Sequence, residues 1–192
     1  MADGTRPGDI VQWLAEGDLR SDGLAREVAD LVATHPAMWD DLLEALSRGD
    51  DVVRGHAADA VERISRAQPE LLAPSLRALA SQARRDPVPM VRWHLAMVLG
   101  NLAYEHAHTA TCASTLLALL EDASPFVRSW AVSGLCQVAR QNPSRSDRIL
   151  PAIARLTDVP SIAVRHRAAR ALSVLTDPHQ TLPRSCVKRR GR

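Results

Sequence analysis

The chain has 192 residues, 46% of them hydrophobic but only 3% aromatic, so its core is built from Ala, Leu and Val rather than from rings. The formal charge of +2 hides an asymmetry: residues 1–140 hold 13 Arg against 19 Asp and Glu, a net of −6, whereas residues 141–192 carry +8. No run of about 18 apolar residues is present, which excludes a membrane-spanning helix, and the polar, acidic stretch Met1 to Asp9 is not expected to be a signal peptide.

In chain order, Ile10 to Ala15 reads as a short first helix. A second apolar-periodic run follows at Leu24, Val28 and Leu31. Met38 to Leu46 opens the next pair, and a Val-Arg dipeptide, Val53-Arg54, begins its second helix. The same order returns three times. Leu71 to Ala80 precedes Val91-Arg92, Cys112 to Leu120 precedes Val127-Arg128, and Ile149 to Leu156 precedes Val164-Arg165. The arginines lie 38, 36 and 37 residues apart, and self-similarity at such a period is the mark of stacked helical repeats. Pro74 and Pro151 occupy matching places in the first helices, where proline either sits in a first turn or kinks the helix.

Aligned on the arginines, the apolar residues fall into columns. Three residues on stand Ala57, Leu95, Ala131 and Ala168; four on, Ala58, Ala96, Val132 and Ala169. Seven on stand Val61, Leu99, Leu135 and Leu172, and ten on, Ile64, Leu102, Val138 and Leu175. This spacing traces one helix face. The turns carry Asp, Pro and Ser, as in Asp86-Pro87-Val88-Pro89 and Asp122-Ala123-Ser124-Pro125. The units run over about 7–35, 36–68, 69–107, 108–142 and 143–178, with 179–192 as a basic, disordered tail carrying five positive charges and no acid.

The leucine-paired first helix, the turn Asp, the Val-Arg pair and the Ala-rich second helix together resemble the HEAT-repeat family. Asp86 and Asp122 each precede the next repeat arginine by six residues. The resemblance implies an all-α, right-handed superhelix (a HEAT-like solenoid) of about five helical pairs. It also implies that Arg54, Arg92, Arg128 and Arg165, with Asp86 and Asp122, form a structural ladder rather than phosphate contacts. The pattern departs at its ends: Asp158 precedes Arg165 by seven residues, and Asp50 and Asp51 precede Arg54 by four and three. The period is also shorter than the roughly 40–47 residues usual for the class.

Function is sought on the second helices, which line the concave side of HEAT arrays. Positions one, five and nine after each arginine share a face beside the apolar stripe, and the residues two after each arginine flank the buried ones as well. They place Trp93, Met97 and Trp130 together as contact residues, Asn101 and Gln137 as hydrogen-bonding groups for a partner backbone, and Arg167 and Arg170 as the charged end of the groove. Trp, Met and Arg are enriched at interaction surfaces. The expected partner is a protein or peptide, and the protein is read as a scaffold or adaptor. The alternative is nucleic acid, bound through the basic C-terminal end by a relative of HEAT-like DNA glycosylases; the acidic N-terminal part does not favour a long phosphate footprint.

No catalytic motif and no cofactor-binding motif is present, and the His-Glu pairs of the HEAT-like deoxyhypusine hydroxylases have no counterpart. Glu105, His106, His108 and Cys112 could offer metal ligands, but no second ligand pair accompanies them, so no metal is expected. Three cysteines without a Cys-x-x-Cys fit a reducing, cytoplasmic setting.

Overall fold

The structure, a computed structural model, describes residues 7–103, 106–177 and 179–181. Among them every regular element is helical. The first pair is α1 (Pro7–Leu14) and α2 (Ala25–Thr34), and the second is α3 (Trp39–Arg48) and α4 (Asp51–Ala67). A short α5 (Pro69–Leu72) leads into α6 (Leu76–Arg85), which pairs with α7 (Pro89–Leu102). Then come α8 (His106–Leu119) with α9 (Pro125–Gln141), and α10 (Ser146–Ala154) with α11 (Ile162–Thr176).

The long second helices start where the sequence supplies a start. The Asp50 side chain accepts the Val53 N–H at 2.9 Å to cap α4. Pro89 and Pro125 occupy first positions in α7 and α9, where a missing N–H costs nothing. The Ser161 hydroxyl accepts from Val164 N–H to open α11. The two matched prolines behave differently. Pro74 falls in a 3-10 turn, Ala73–Ser75, that divides the expected Leu71–Ala80 helix into α5 and α6. Pro151 stays inside α10, which ends at Ala154 and tightens into a 3-10 segment, Arg155–Asp158.

The second helices α2, α4, α7, α9 and α11 pack successively on one another, and the first helices cover their other side. The apolar columns are the reason: Ala57, Leu95, Ala131 and Ala168 have no exposed surface. Small residues let the helices approach. A Cβ on Gly100 of α7 would lie 2.9 Å from the Gly134 Cα of α9, so a side chain at that crossing would force the two apart. Among the described residues no helix is long and apolar enough to cross a membrane.

The first pair is held by a turn-rich segment, residues 15–24, that lies over the start of α4. His56, fully buried, places one ring nitrogen 2.8 Å from Leu14 O and the other 3.1 Å from Asp18 O and Ser21 O. Gly23 sits at φ +49, and a Cβ there would meet both Glu16 O and the His56 ring, so only glycine fits.

Charged rungs join neighbouring pairs. Arg92 gives Nε and Nη2 to the two carboxylate oxygens of Asp122 at 2.7 and 2.9 Å, and its Nη1 donates to Asp86 O and Pro87 O. Arg54 donates from Nε to Asp86 at 3.2 Å, from Nη1 to Gly49 O and from Nη2 to Asp51. The accepting aspartates are fixed by their own turns: Asp86 takes the Val88 N–H and Asp122 the Ser124 N–H.

The third rung is missing. Arg128 leaves its buried Nε without a hydrogen-bond partner, and Asp158 is exposed. The turn explains it. Two residues after Asp158 stands Pro160, which has no N–H to hold the carboxylate. The extra residue before Arg165 also moves the acid along the chain.

Candidate functional site

The residues two positions after each repeat arginine form a column across the second-helix layer: His56, His94, Trp130 and Arg167. Its exposure rises along the array. His56 and His94 are buried, whereas Trp130 and Arg167 are half-buried.

At the α4–α7 junction the column is polar and neutralised. His94 Nε2 lies 3.6 Å from buried Asp59, whose carboxylate also takes a bidentate pair from Arg63 at 3.2 and 3.0 Å. Arg63 reaches Asp22 of the first pair as well, at 2.9 Å. Burial acts to lower the Arg63 pKa. The hydrogen bond and charge of Asp59, with the charges of Asp22 and Glu62, outweigh it and hold the guanidinium above its ordinary value. Fully buried Glu62 is matched by Arg66. Asn101 donates its amide to Ser65 Oγ at 2.8 Å, a bond between α7 and α4. Asp59 and Arg63, Glu62 and Arg66, and Asn101 and Ser65 bond to one another, so most of this end of the layer is closed polar structure.

The α7–α9 junction is aromatic. Trp93, half-buried, meets Phe126 at a ring-centroid distance of 5.3 Å, and His94 at 5.5 Å. Phe126 stands in the first turn of α9 and is 63% exposed. The exposed prolines Pro89 and Pro125 begin the same two helices. At the α9–α11 junction, Arg167 lies 4.8 Å above the Trp130 ring and donates to Ser133 Oγ at 2.8 Å. A guanidinium over an indole face is held by the ring quadrupole and by stacking. Arg170, one turn on, is exposed.

The structure therefore separates the residues that spacing groups together. The cluster of Trp93, Met97 and Trp130 is not an open surface: Met97 is 5% exposed, because α7 is covered on both sides by α4 and α9. The ring partners of Trp93 are Phe126 and His94. Asn101 is already bonded within the protein. Gln137 is half-buried, with its amide over Gly100 at the α7–α9 crossing. Phe126 escapes the sequence reading because an aromatic residue in a helix's first turn lies off the apolar columns. The burial of Asp59 and His94 was signalled only by their place beside those columns.

The candidate metal ligands of the fourth pair are only partly described. Glu105 and the side chain of His106 lie outside the described residues, and no group of three ligating side chains occurs among the described ones. Cys112 is buried in apolar surroundings that push its thiol up to about 12. The tail from 182 onward also lies outside the described residues. On the opposite face, α3 and α6 enclose a shallow groove of about 400 Å³ floored by Leu43, Leu46 and Leu79. The exposed pair Glu44–Arg48 lies along it.

No family model and no curated protein matches the chain. Solved structures do. A designed armadillo repeat protein, YIII(Dq)4CqI, superposes with a TM-score of 0.61 at 20% identity, over 86% of this chain and 80% of that one. An engineered protein gives 0.64 at 21% identity, over 86% and 79%. The designed armadillo repeat protein YIII(Dq.V1)4CPAF, solved in complex with the peptide (KR)4, gives 0.61 at 19% identity, over 85% and 79%. The fold of this chain is that of the armadillo-like α-solenoids.

Proposed function

We propose that this protein is a HEAT-like scaffold that binds an extended segment of a partner protein along its second-helix layer, from Trp93 and Phe126 to Arg167 and Arg170. The observation that carries the reading is the Trp93–Phe126 pair. A largely exposed phenylalanine resting on a half-buried tryptophan is a poor arrangement for a surface with no partner. Aromatic rings beside an accessible guanidinium are what protein-binding surfaces concentrate. Further along, Trp130 offers a ring edge under Arg167, and Arg170 adds positive charge. The segment that fits has a large apolar side chain for the Trp93–Phe126 end and a carboxylate for the Arg170 end. A neighbour of this fold, a designed armadillo repeat protein, is solved in complex with the peptide (KR)4; the charges here call for a peptide of opposite sign at the C-terminal end. Cys112 and Cys136 are both buried, and no disulfide joins them among the described residues, which supports a reducing compartment.

Selection from a random peptide-display library tests this. Enriched sequences carry an aromatic or large aliphatic residue followed by an acidic one. Phe126→Ala and Arg170→Glu each weaken the selected peptide about tenfold, a loss of roughly 1.4 kcal/mol, while the helical signal and melting temperature stay unchanged. No enrichment, or binding indifferent to both changes, refutes the reading. Binding of DNA that weakens steeply with salt would favour nucleic acid instead.

A further inference from the structure

The ladder has two unused ends, and they match. Arg165 repeats the posture of Arg92: its Nη1 donates to Val159 O at 2.8 Å and Pro160 O at 3.0 Å, as Arg92 Nη1 donates to Asp86 O and Pro87 O. Arg92 then spends its Nε and Nη2 on Asp122, whereas no carboxylate among the described residues meets that edge of Arg165. At the other end, Asp18 repeats the posture of the ladder acids. Its Oδ1 accepts the N–H two residues on, Arg20, at 2.8 Å, as Asp86 accepts from Val88 and Asp122 from Ser124. No arginine among the described residues reaches Asp18. Its turn is rigid, since Asp18 O is held by His56 and by the Ser21 hydroxyl.

The faces around these two groups are complementary. Ala58, Ala96 and Val132 are buried by the following helix, but the matching Ala169 of α11 is exposed, flanked by exposed His166 and Arg170. This end of the array has the small-residue surface of an interior repeat rather than the polar face of a capping one. The outer face of α2 is polar, with Glu27 and Asp30 exposed, and Glu16 stands exposed before the Asp18 turn. The cationic end and the anionic end of one chain thus carry the two halves of a rung.

We propose that two copies of this chain stack head to tail, with Arg165 of one donating its Nε–Nη2 edge to Asp18 of the next, so that the solenoid continues across the junction. Such a heterologous contact does not close on itself and extends into short filaments as concentration rises. It shares Arg170 with the face proposed above for peptides, but its rung, Arg165 and Asp18, lies outside that face, so either reading can fail without the other.

Sedimentation of the whole chain over a range of concentrations tests it. At low salt the average mass rises with concentration, and high salt reverses the rise, because the rung is partly screened. Asp18→Arg and Arg165→Asp each abolish the rise. Mixed together, the two variants associate again in alternating order, since both mixed junctions pair an arginine with an aspartate whereas each variant's own junction sets like charges against each other. The double variant, with both ends exchanged, associates again. Circular dichroism and thermal melting verify that each variant is folded; if Asp18→Arg unfolds the first pair, Asp18→Asn replaces it, with about tenfold weaker association expected. A chain that stays monomeric at all concentrations in low salt overturns the proposal. So does association that survives either single charge reversal, or a mixture of the two single variants that fails to associate.

Discussion

The α7–α9 and α9–α11 junctions begin from the same Val-Arg device and end differently. In the first, Arg92 and Asp122 form a two-pronged rung whose side chains are only 14% and 9% exposed. In the second, Arg128 has an unsatisfied Nε, Asp158 faces solvent, and the tie is made instead by Arg167 lying on Trp130. The arginine column is equally good in both; the turn differs. Asp122-Ala123-Ser124 supplies an N–H that fixes the carboxylate, and Asp158-Val159-Pro160 does not. Holding the acceptor still is thus as decisive as supplying the donor, because a mobile carboxylate must give up its freedom to bond. The junction without a rung is also the one that carries an accessible cation and a half-buried indole.

The largest effect expected from this contrast lies in the two aspartates themselves. Asp122→Ala removes both prongs and the Ser124 turn bond while leaving Arg92 partly buried, and costs about 2–3 kcal/mol in denaturant unfolding. Asp158→Ala lies within about 0.5 kcal/mol of the parent. Equal losses at the two sites would show that the turn geometry is not what separates the junctions. Next in size is the substitute tie: Arg167→Ala costs about 1 kcal/mol, from the lost ring contact and the Ser133 bond together. Arg167→Lys recovers only part of it, because an ammonium cannot stack.

The missing rung can also be rebuilt. Deleting Val159 gives Asp-Pro-Ser where the third pair has Asp-Pro-Val, and restores the six-residue spacing to Arg165. A double-mutant cycle on Arg128 and Asp158 then reads a coupling of about 1 kcal/mol where the parent reads none. The cycle isolates the pair from the packing that Val159 itself contributes. A coupling that stays at zero would mean that the acid cannot reach, and that the spacing alone does not define the rung.

The sequence carried the layer order well. The Val-Arg columns and the apolar offsets specify which residues of the second helices face their neighbours, since period and handedness leave few other ways to bury Ala57, Leu95, Ala131 and Ala168. It carried the ladder's weak point too, in the seven-residue spacing at Asp158, although Pro160 is the stronger reason. It did not carry the burial of Met97 or the polar closure of the α4–α7 end. Periodicity describes one helix at a time, and those outcomes depend on how closely Gly100 and Gly134 let α7 and α9 approach. They also depend on the 15–24 segment folding over α4, which only His56 and Gly23 hint at. Phe126 lay outside every column, and its role follows from what stands beside it in space.

The smallest effect is one of dynamics, and it follows from the same contrast. Cys136 sits at the α9–α11 junction, its thiol directed at Ala171 O, while Cys112 lies in α8, which packs against α6, α7 and α9, the last two joined by the intact Arg92–Asp122 rung. Both are buried, and burial has pushed the Cys112 thiol up to about 12, so near neutral pH Cys112 reacts only when the structure opens. A junction short of one rung opens at lower free energy than one that has it. In a Cys186→Ser background, Cys136 is therefore labelled several-fold faster than Cys112 by a thiol reagent under native conditions, and the Val159 deletion narrows the gap. Labelling of both at one common rate would mean that the array opens as a single cooperative unit. In that case the missing rung has no local consequence, and the two junctions differ in form but not in strength.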